Sequence, residues 1–129
     1  MISRDELRVR GKSLLEKAYS PYSHLRVGAF LIAESGEVFP GVNVENVSYG
    51  LTICAERSAL TGAISRGVQK FAMLYLISDY PDRHITPCGA CLQVLSEFCA
   101  SDMPVVCENL NGDSKEYMLL DLIPHAFTF

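Results

Sequence analysis

Residues Phe71 to Ile77 are apolar without interruption. Side chains along a strand alternate between two faces, so a strand can be apolar throughout only where both faces are covered. This run therefore calls for a sheet with other layers packed on each side. Val27 to Ala33 is a second apolar run with the length of a buried strand. Glu34-Ser35-Gly36-Glu37 is a turn signal, and Val38 to Val44 reads as the returning strand. The two strands are expected to pair as a hairpin.

The rest of the chain supplies the covering layers. Ser3-Arg4-Asp5-Glu6 fits a capping box, in which Ser3 and Glu6 each satisfy a free backbone donor. Leu7, Gly11, Leu14, Leu15 and Ala18 then recur on one helical face, and the helix ends before Pro21. A second helix starts near Cys54, runs through Ala55, Ala59, Leu60 and Ala63, and stops at Gly67. Asp79 to Pro87 is a polar loop. A third helix begins near Cys88 and carries Leu92, Val94, Leu95 and Phe98 inward. Pro104 to Cys107 is a short strand, Asn111-Gly112-Asp113 a turn, and Tyr117 to Leu120 a further strand. Leu122-Ile123-Pro124 leads into a tail containing Phe127 and Phe129. The order of elements predicts an α/β fold: a three-layer α/β/α arrangement around a mixed five-stranded sheet. With 129 residues and no repeat or linker, the expectation is a single domain over 1–129.

The formal net charge is −4. A sequence-independent grip on a phosphate backbone needs a basic surface, so this balance argues against a nucleic-acid polymer as partner. It suits a small uncharged molecule. No run is long and apolar enough to cross a bilayer, which argues against a membrane partner. The opening Met1-Ile2-Ser3-Arg4-Asp5-Glu6 lacks the apolar stretch of a signal peptide. The cysteines number five, an odd count. A cytoplasmic location follows as the expectation, and there clustered thiols bind metal more often than they form bridges.

Cys54-Ala55-Glu56 and Pro87-Cys88-Gly89-Ala90-Cys91 carry the chemistry. The spacing of Cys88 and Cys91 puts both sulfurs on one helical turn, where a single metal ion can accept both. Cys54 offers a third from another helix. Three protein ligands and one open position is the usual form of a catalytic zinc site, whereas a structural site is closed by a fourth ligand. Taken alone, the Cys-x-x-Cys pair fits buried apolar cysteines as well as it fits metal. Cys-x-Glu before it and the proline at 87 favour metal. His-x-Glu followed by Pro-Cys-x-x-Cys marks the zinc-dependent nucleobase deaminases, with three cysteines allowed. Here Cys54 stands for the histidine.

That exchange leaves the site with one net negative charge, which makes a bound water less acidic. Zinc can lower the pKa of water from about 16 to about 7, and surplus thiolate charge opposes this. Compensation is available from the helix starts on which all three cysteines fall, and from Arg57. The alternative for Arg57 is a solvated surface residue. Glu56 is the candidate proton carrier, since it lies two residues from a ligand and is not needed to bind the ion. Its alternative role is a first-turn glutamate complementing the helix dipole.

These stretches, with Pro21-Tyr22-Ser23, Val27-Gly28-Ala29, Gly41-Val42-Asn43-Val44-Glu45-Asn46 and Cys54-Ala55-Glu56-Arg57-Ser58-Ala59, resemble the cytidine deaminase family, in its small homotetrameric branch. The resemblance runs from Pro21 to Pro124. It implies zinc-dependent hydrolytic deamination of cytidine and deoxycytidine in pyrimidine salvage, with ammonia released and no organic cofactor. One Zn2+ per subunit would be held by Cys54, Cys88 and Cys91, with Glu56 as proton shuttle and Arg57 bonded to the ligand sulfurs. Asn43 and Glu45 would hold the ribose, chiefly at its 3′-hydroxyl. Ala55 would offer backbone groups near the reacting carbon. A homotetramer with sites shared between subunits is implied, with Tyr49 near a subunit boundary and Phe127 reaching a neighbouring pocket.

Without the resemblance, Asn43 and Glu45 read as alternate polar residues on an exposed strand end, and Phe127 as core. Two positions depart from the family pattern. Leu25 stands where many relatives have a phenylalanine on the pyrimidine, and Leu92 where an arginine is common. Cys99 and Cys107 read as buried packing. Other readings are a deaminase of a nucleoside antibiotic such as blasticidin S, a deaminase of cytosine within RNA or DNA, and a non-catalytic zinc-stabilised module. Glu45 argues against the first, acidity and small size against the second, and Glu56 with the sugar-binding stretch against the third.

Overall fold

The structure, a computed structural model, describes residues 1–129. Its frame is one mixed sheet of β1 (Val27–Ala33), β2 (Val38–Val42), β3 (Phe71–Ser78), β4 (Pro104–Asn109) and β5 (Ser114–Met118), in the order β2-β1-β3-β4-β5. Only β3 and β4 run parallel; the other pairings are antiparallel. A parallel pair cannot be joined by a tight turn and needs a crossover. α3 (Gly89–Phe98) provides it, while α2 (Ala55–Ser65) links β2 to β3 and α1 (Arg4–Leu15) precedes the sheet.

Alternation along the strands sorts the core into two halves. Phe30 and Ile32 of β1, Tyr75 and Ile77 of β3 and Val106 of β4 pack with Leu7 and Leu15 of α1. The intervening Ala29, Leu31, Leu74, Leu76, Val105 and Cys107 face the other way, onto Ala55, Ala59, Leu60 and Ala63 of α2 and Leu92 and Leu95 of α3. Every residue of β1 is buried, as its unbroken apolarity predicts. Leu92 therefore lies in the core. Cys107 is fully buried, and Cys99 is partly buried against the same cluster.

Gly41 fixes how closely α2 approaches the sheet. A Cβ on it would lie 2.3 Å from the Ala55 carbonyl oxygen and 2.4 Å from the Ala59 nitrogen. Helix backbone thus rests directly on strand backbone, which requires glycine on one side and alanines on the other. This contact sets how close the first turns of α2 lie to β2.

Three expectations need correction. β2 ends at Val42 and not at Val44; Val44 instead forms isolated bridges with Tyr19 and Ile53. The last strand is Ser114–Met118, not Tyr117 to Leu120. Leu119–Leu122 form one helical turn, α4, in which the Asp121 carboxylate accepts the Met118 amide at 2.9 Å. Half of the N-terminal capping box is present. The Ser3 hydroxyl accepts the Glu6 amide at 3.2 Å, but the Glu6 carboxylate pairs with Arg10 one turn later, at 3.1 Å.

Candidate active site and metal centre

Cys54 is the N-cap of α2 and Cys88 the N-cap of α3, and Cys91 lies in the first turn of α3. Both caps have extended backbone and neither side chain accepts a capping bond from its helix backbone, so the sulfurs are free to face each other. The three sulfurs lie within 4.8 Å of one another. Cys54 Sγ is 3.8 Å from Cys88 Sγ, which is 3.6 Å from Cys91 Sγ. A tetrahedral zinc ion with sulfur at about 2.3 Å needs S–S edges of about 3.8 Å. The spacing of this donor set therefore fits zinc. No fourth His, Cys, Asp or Glu joins the group.

The surroundings favour anionic sulfur. Two helix N-termini converge on the cluster. The Arg57 guanidinium donates from Nη2 to Cys54 Sγ at 3.5 Å, and its Nε is buried without a partner. The solvated-surface alternative for Arg57 thus does not hold. The Cys54 thiol is drawn down to about 5, chiefly by a hydrogen bond from Cys91 and then by Arg57 and Cys88, against the opposing effect of burial. The Cys91 thiol, which supplies that bond, is pushed up.

Glu56, in the first turn of α2, is only 4% exposed. Burial, followed by the charge of Cys54, raises its carboxyl to about 7. A glutamate that merely complements a helix dipole would stay in water and ionise readily. This one is held where it can take or give a proton near neutral pH.

A cavity of about 220 Å³ opens over the cluster. Its walls include Leu25, Asn43, Glu45, Cys54, Ala55, Glu56 and Cys88. Seven residues from four separate stretches of sequence are thus brought together, with Cys91 in the sulfur cluster behind them. Ser23, Val27, Thr52, Ile85 and Thr86 also line the cavity and were not singled out from sequence. Ser23 belongs to the Pro21-Tyr22-Ser23 stretch, which was the one signal available for it. A second hollow of about 210 Å³ shares Ser23, Glu45 and Thr52 and is closed by Tyr22 and Tyr49, whose ring centroids lie 5.7 Å apart.

Asn43 and Glu45 are buried, not alternate positions on an exposed strand. The Asn43 Oδ1 accepts the Val27 amide at 3.0 Å and its Nδ2 donates to the Leu25 carbonyl at 2.8 Å. The Glu45 carboxylate accepts the Tyr22 and Ser23 amides at 3.0 and 3.1 Å, and also the Ser23 hydroxyl. These bonds hold Glu45 below the usual carboxylate range, the Ser23 hydroxyl contributing most. The Glu45 Oε1 is taken by the two amides, while Glu45 Oε2 and Asn43 Oδ1 each retain a lone pair for a further donor. Phe127 is not core: it is 70% exposed, packs edge-on against Phe129 and does not line this cavity.

Residues 3–107 match the family model described as "Cytidine and deoxycytidylate deaminase zinc-binding region". A cytidine deaminase of Sporosarcina psychrophila is 44% identical over 124 residues, covering 96% of this chain and 90% of that protein. A probable cytidine deaminase of Dictyostelium discoideum is 49% identical over 111 residues, covering 86% and 74%. The crystal structure of cytidine deaminase from Burkholderia pseudomallei superposes with a TM-score of 0.92 at 42% identity, over 98% of this chain and 100% of that one. The chain belongs to the cytidine and deoxycytidylate deaminase family.

Proposed function

We propose that this protein is a zinc-dependent cytidine deaminase, which hydrolyses cytidine and deoxycytidine to uridine and deoxyuridine with release of ammonia. The observation that carries this reading is the sulfur triangle at zinc spacing with the buried Glu56 carboxyl in the same cavity. A zinc ion held by Cys54, Cys88 and Cys91 supplies Lewis-acid activation of water.

The chain's own residues do the rest. Glu56 takes a proton from the attacking water and delivers it to N3 as oxygen bonds to C4. It then takes the remaining proton of that oxygen and passes it to the amine, so that the C4–N bond breaks and neutral ammonia leaves. N3 keeps its proton in the uracil product, so atoms and charge balance. Arg57 offsets thiolate charge that would otherwise oppose loss of a proton from water. Asn43 and Glu45, already oriented by their bonds to the chain, are suited to the sugar hydroxyls, and Leu25 and Ala55 to the base. Closing a dry cavity around these groups strengthens every electrostatic contact in it.

The quaternary reading extends the same proposal. Tyr19 and Tyr22 of one stretch and Val44, Val47, Tyr49, Leu51 and Ile53 of another are exposed apolar residues, the two stretches being joined by the Tyr19–Val44 bridge and the Tyr22–Tyr49 contact, and Phe127 and Phe129 are exposed at the tail. Such surface favours burial against other copies. This supports self-association with Tyr49 and Phe127 at subunit boundaries, which we take as a homotetramer; the nucleoside substrate assigned above goes with pyrimidine salvage in the cytoplasm. Sizing of the purified protein at the mass of one chain would remove the quaternary part.

The deciding experiment measures ammonia release from cytidine, deoxycytidine and blasticidin S, before and after chelation. Turnover of both nucleosides, abolished by the chelator and restored by zinc, is the expected result. A zinc-loaded protein that leaves both nucleosides intact, or a stripped one that still converts them, would overturn the reading.

A further inference from the structure

Residues 79–88 join β3 to α3, place Ile85 and Thr86 in the cavity wall and end on Cys88. A stretch without regular secondary structure must be held by side chains if it is to form a fixed wall. The turn between β4 and β5 holds this one. Asn109 donates from Nδ2 to the Tyr80 carbonyl at 3.2 Å, and Asn111 to the Pro81 carbonyl at 2.9 Å. The Asp113 carboxylate accepts the His84 amide at 2.7 Å and lies 2.9 Å from His84 Nδ1. His84 Nε2 is 2.8 Å from the Tyr117 hydroxyl on β5.

This arrangement fixes the histidine at both ring nitrogens. A carboxylate can only accept, so Nδ1 carries a proton. In the neutral ring Nε2 then accepts from the Tyr117 hydroxyl. His84, amide and ring together, holds the Asp113 carboxyl below the usual range. The Tyr117 ring is itself seated against the core and lies under the Lys115 ammonium, 4.9 Å from the centroid. Ile85, the next residue, packs on the core, and Thr86 follows it into the cavity. The deamination scheme makes no use of His84, Asp113 or Tyr117.

We infer that His84 is a positioning residue for the nucleoside: clamped between Asp113 and Tyr117, it sets where Ile85 and Thr86 stand in the cavity and so how the substrate is seated. The inference rests on the deaminase reading. It concerns the substrate wall and not the metal centre, because Cys88 is fixed separately. Cys88 caps α3, its carbonyl accepting the Leu92 amide at 2.9 Å. Releasing His84 from Asp113 loosens the wall between His84 and Cys88 while leaving the sulfur in place.

The test compares steady-state kinetics on cytidine and zinc content for the unaltered protein, His84→Ala, His84→Asn and Tyr117→Phe. Uniform loss of substrate binding appears in KM and not in kcat. His84→Ala is expected to raise KM about tenfold with kcat within about twofold and zinc unchanged. Tyr117→Phe, which removes only a hydroxyl, should raise KM about threefold. His84→Asn, whose amide can still reach Asp113, should recover most of the affinity. A KM within about twofold of the unaltered value in His84→Ala or Tyr117→Phe, or a loss that follows zinc content, would overturn the inference. An unaltered protein inactive on cytidine would instead overturn the deaminase reading, so the two failures are distinct. Should His84→Ala fail to fold, the other two variants decide.

Discussion

Ser23 gives both its backbone amide and its hydroxyl to the Glu45 carboxylate, the amide at 3.1 Å. A side chain held from two directions is oriented before any ligand arrives, which reduces what ordering costs on binding. Ser23→Ala removes one of those bonds and leaves the carboxylate freer and less acidic. The expected result is about a fivefold rise in KM with kcat little changed. Because Glu45 is held below its usual range, its contribution is present above the unfolded pKa and fades as pH falls through the folded one. Steady-state kinetics from pH 4 to 8 should therefore show the acid limb of kcat/KM displaced to higher pH in the variant. An unmoved limb together with an unchanged KM would show that the Ser23 hydroxyl does not orient Glu45 for binding.

Glu56 links activity to stability. Glu56→Gln keeps the three sulfurs but cannot move a proton, so turnover should fall by about three to four orders of magnitude with zinc retained. The same substitution should stabilise the metal-stripped chain. The Glu56 carboxyl rises from 4.5 to about 7 on folding. Relative stability is therefore full below the unfolded value and lost as pH climbs through the folded one, by about 3 kcal/mol in all. Denaturant melts of the stripped proteins should coincide near pH 4 and diverge by about that amount above pH 7, the variant being the more stable. Equal stability at both ends would mean the carboxyl is not raised by burial.

Arg57 donates to Cys54 at 3.5 Å beside a group already rich in negative charge. Arg57→Gln removes the positive charge without emptying the volume. A charge-assisted hydrogen bond contributes about 1.5 kcal/mol or more, so kcat should drop roughly tenfold while zinc stays bound. Zinc quantitation beside the kinetic assay separates this from metal loss.

Gly41→Ala tests how the site is positioned from outside it. The added methyl would lie 2.3 Å from the Ala55 oxygen and 2.4 Å from the Ala59 nitrogen. Both are backbone atoms and cannot swing aside, so α2 must move away from β2. Overpacking of this kind costs about 3 kcal/mol. Cys54 and Glu56 sit at the start of that helix, and zinc affinity should fall along with stability. Unchanged melting and zinc binding would show that the contact does not position the helix.

Much of the fold was legible in local pattern. The apolar runs at 27–33 and 71–77 are β1 and most of β3, because a strand buried on both faces leaves an unbroken signature. The starts of α2 and α3 were legible for a related reason, since capping and chain reversal are decided within a few residues. The final strand was misplaced because Leu119 and Leu120 are as apolar as strand residues. What turns them is the Asp121 cap and the bonds of their amides to the Met103 and Ser101 carbonyls.

From sequence alone came the ligand types, the spacing of Cys88 and Cys91 on one helical turn, and a carboxylate beside the third sulfur. All are short-range consequences of helix geometry. Only tertiary structure decided that Cys54 meets the pair at zinc distance, that Asn43 and Glu45 turn inward, and that Ser23, Thr52, Ile85 and Thr86 complete the cavity. The physical reason is range. Periodicity reports what a residue's near neighbours require, but close backbone contact of the Gly41 kind and side chains that bond across 16 to 29 positions are settled when distant segments pack.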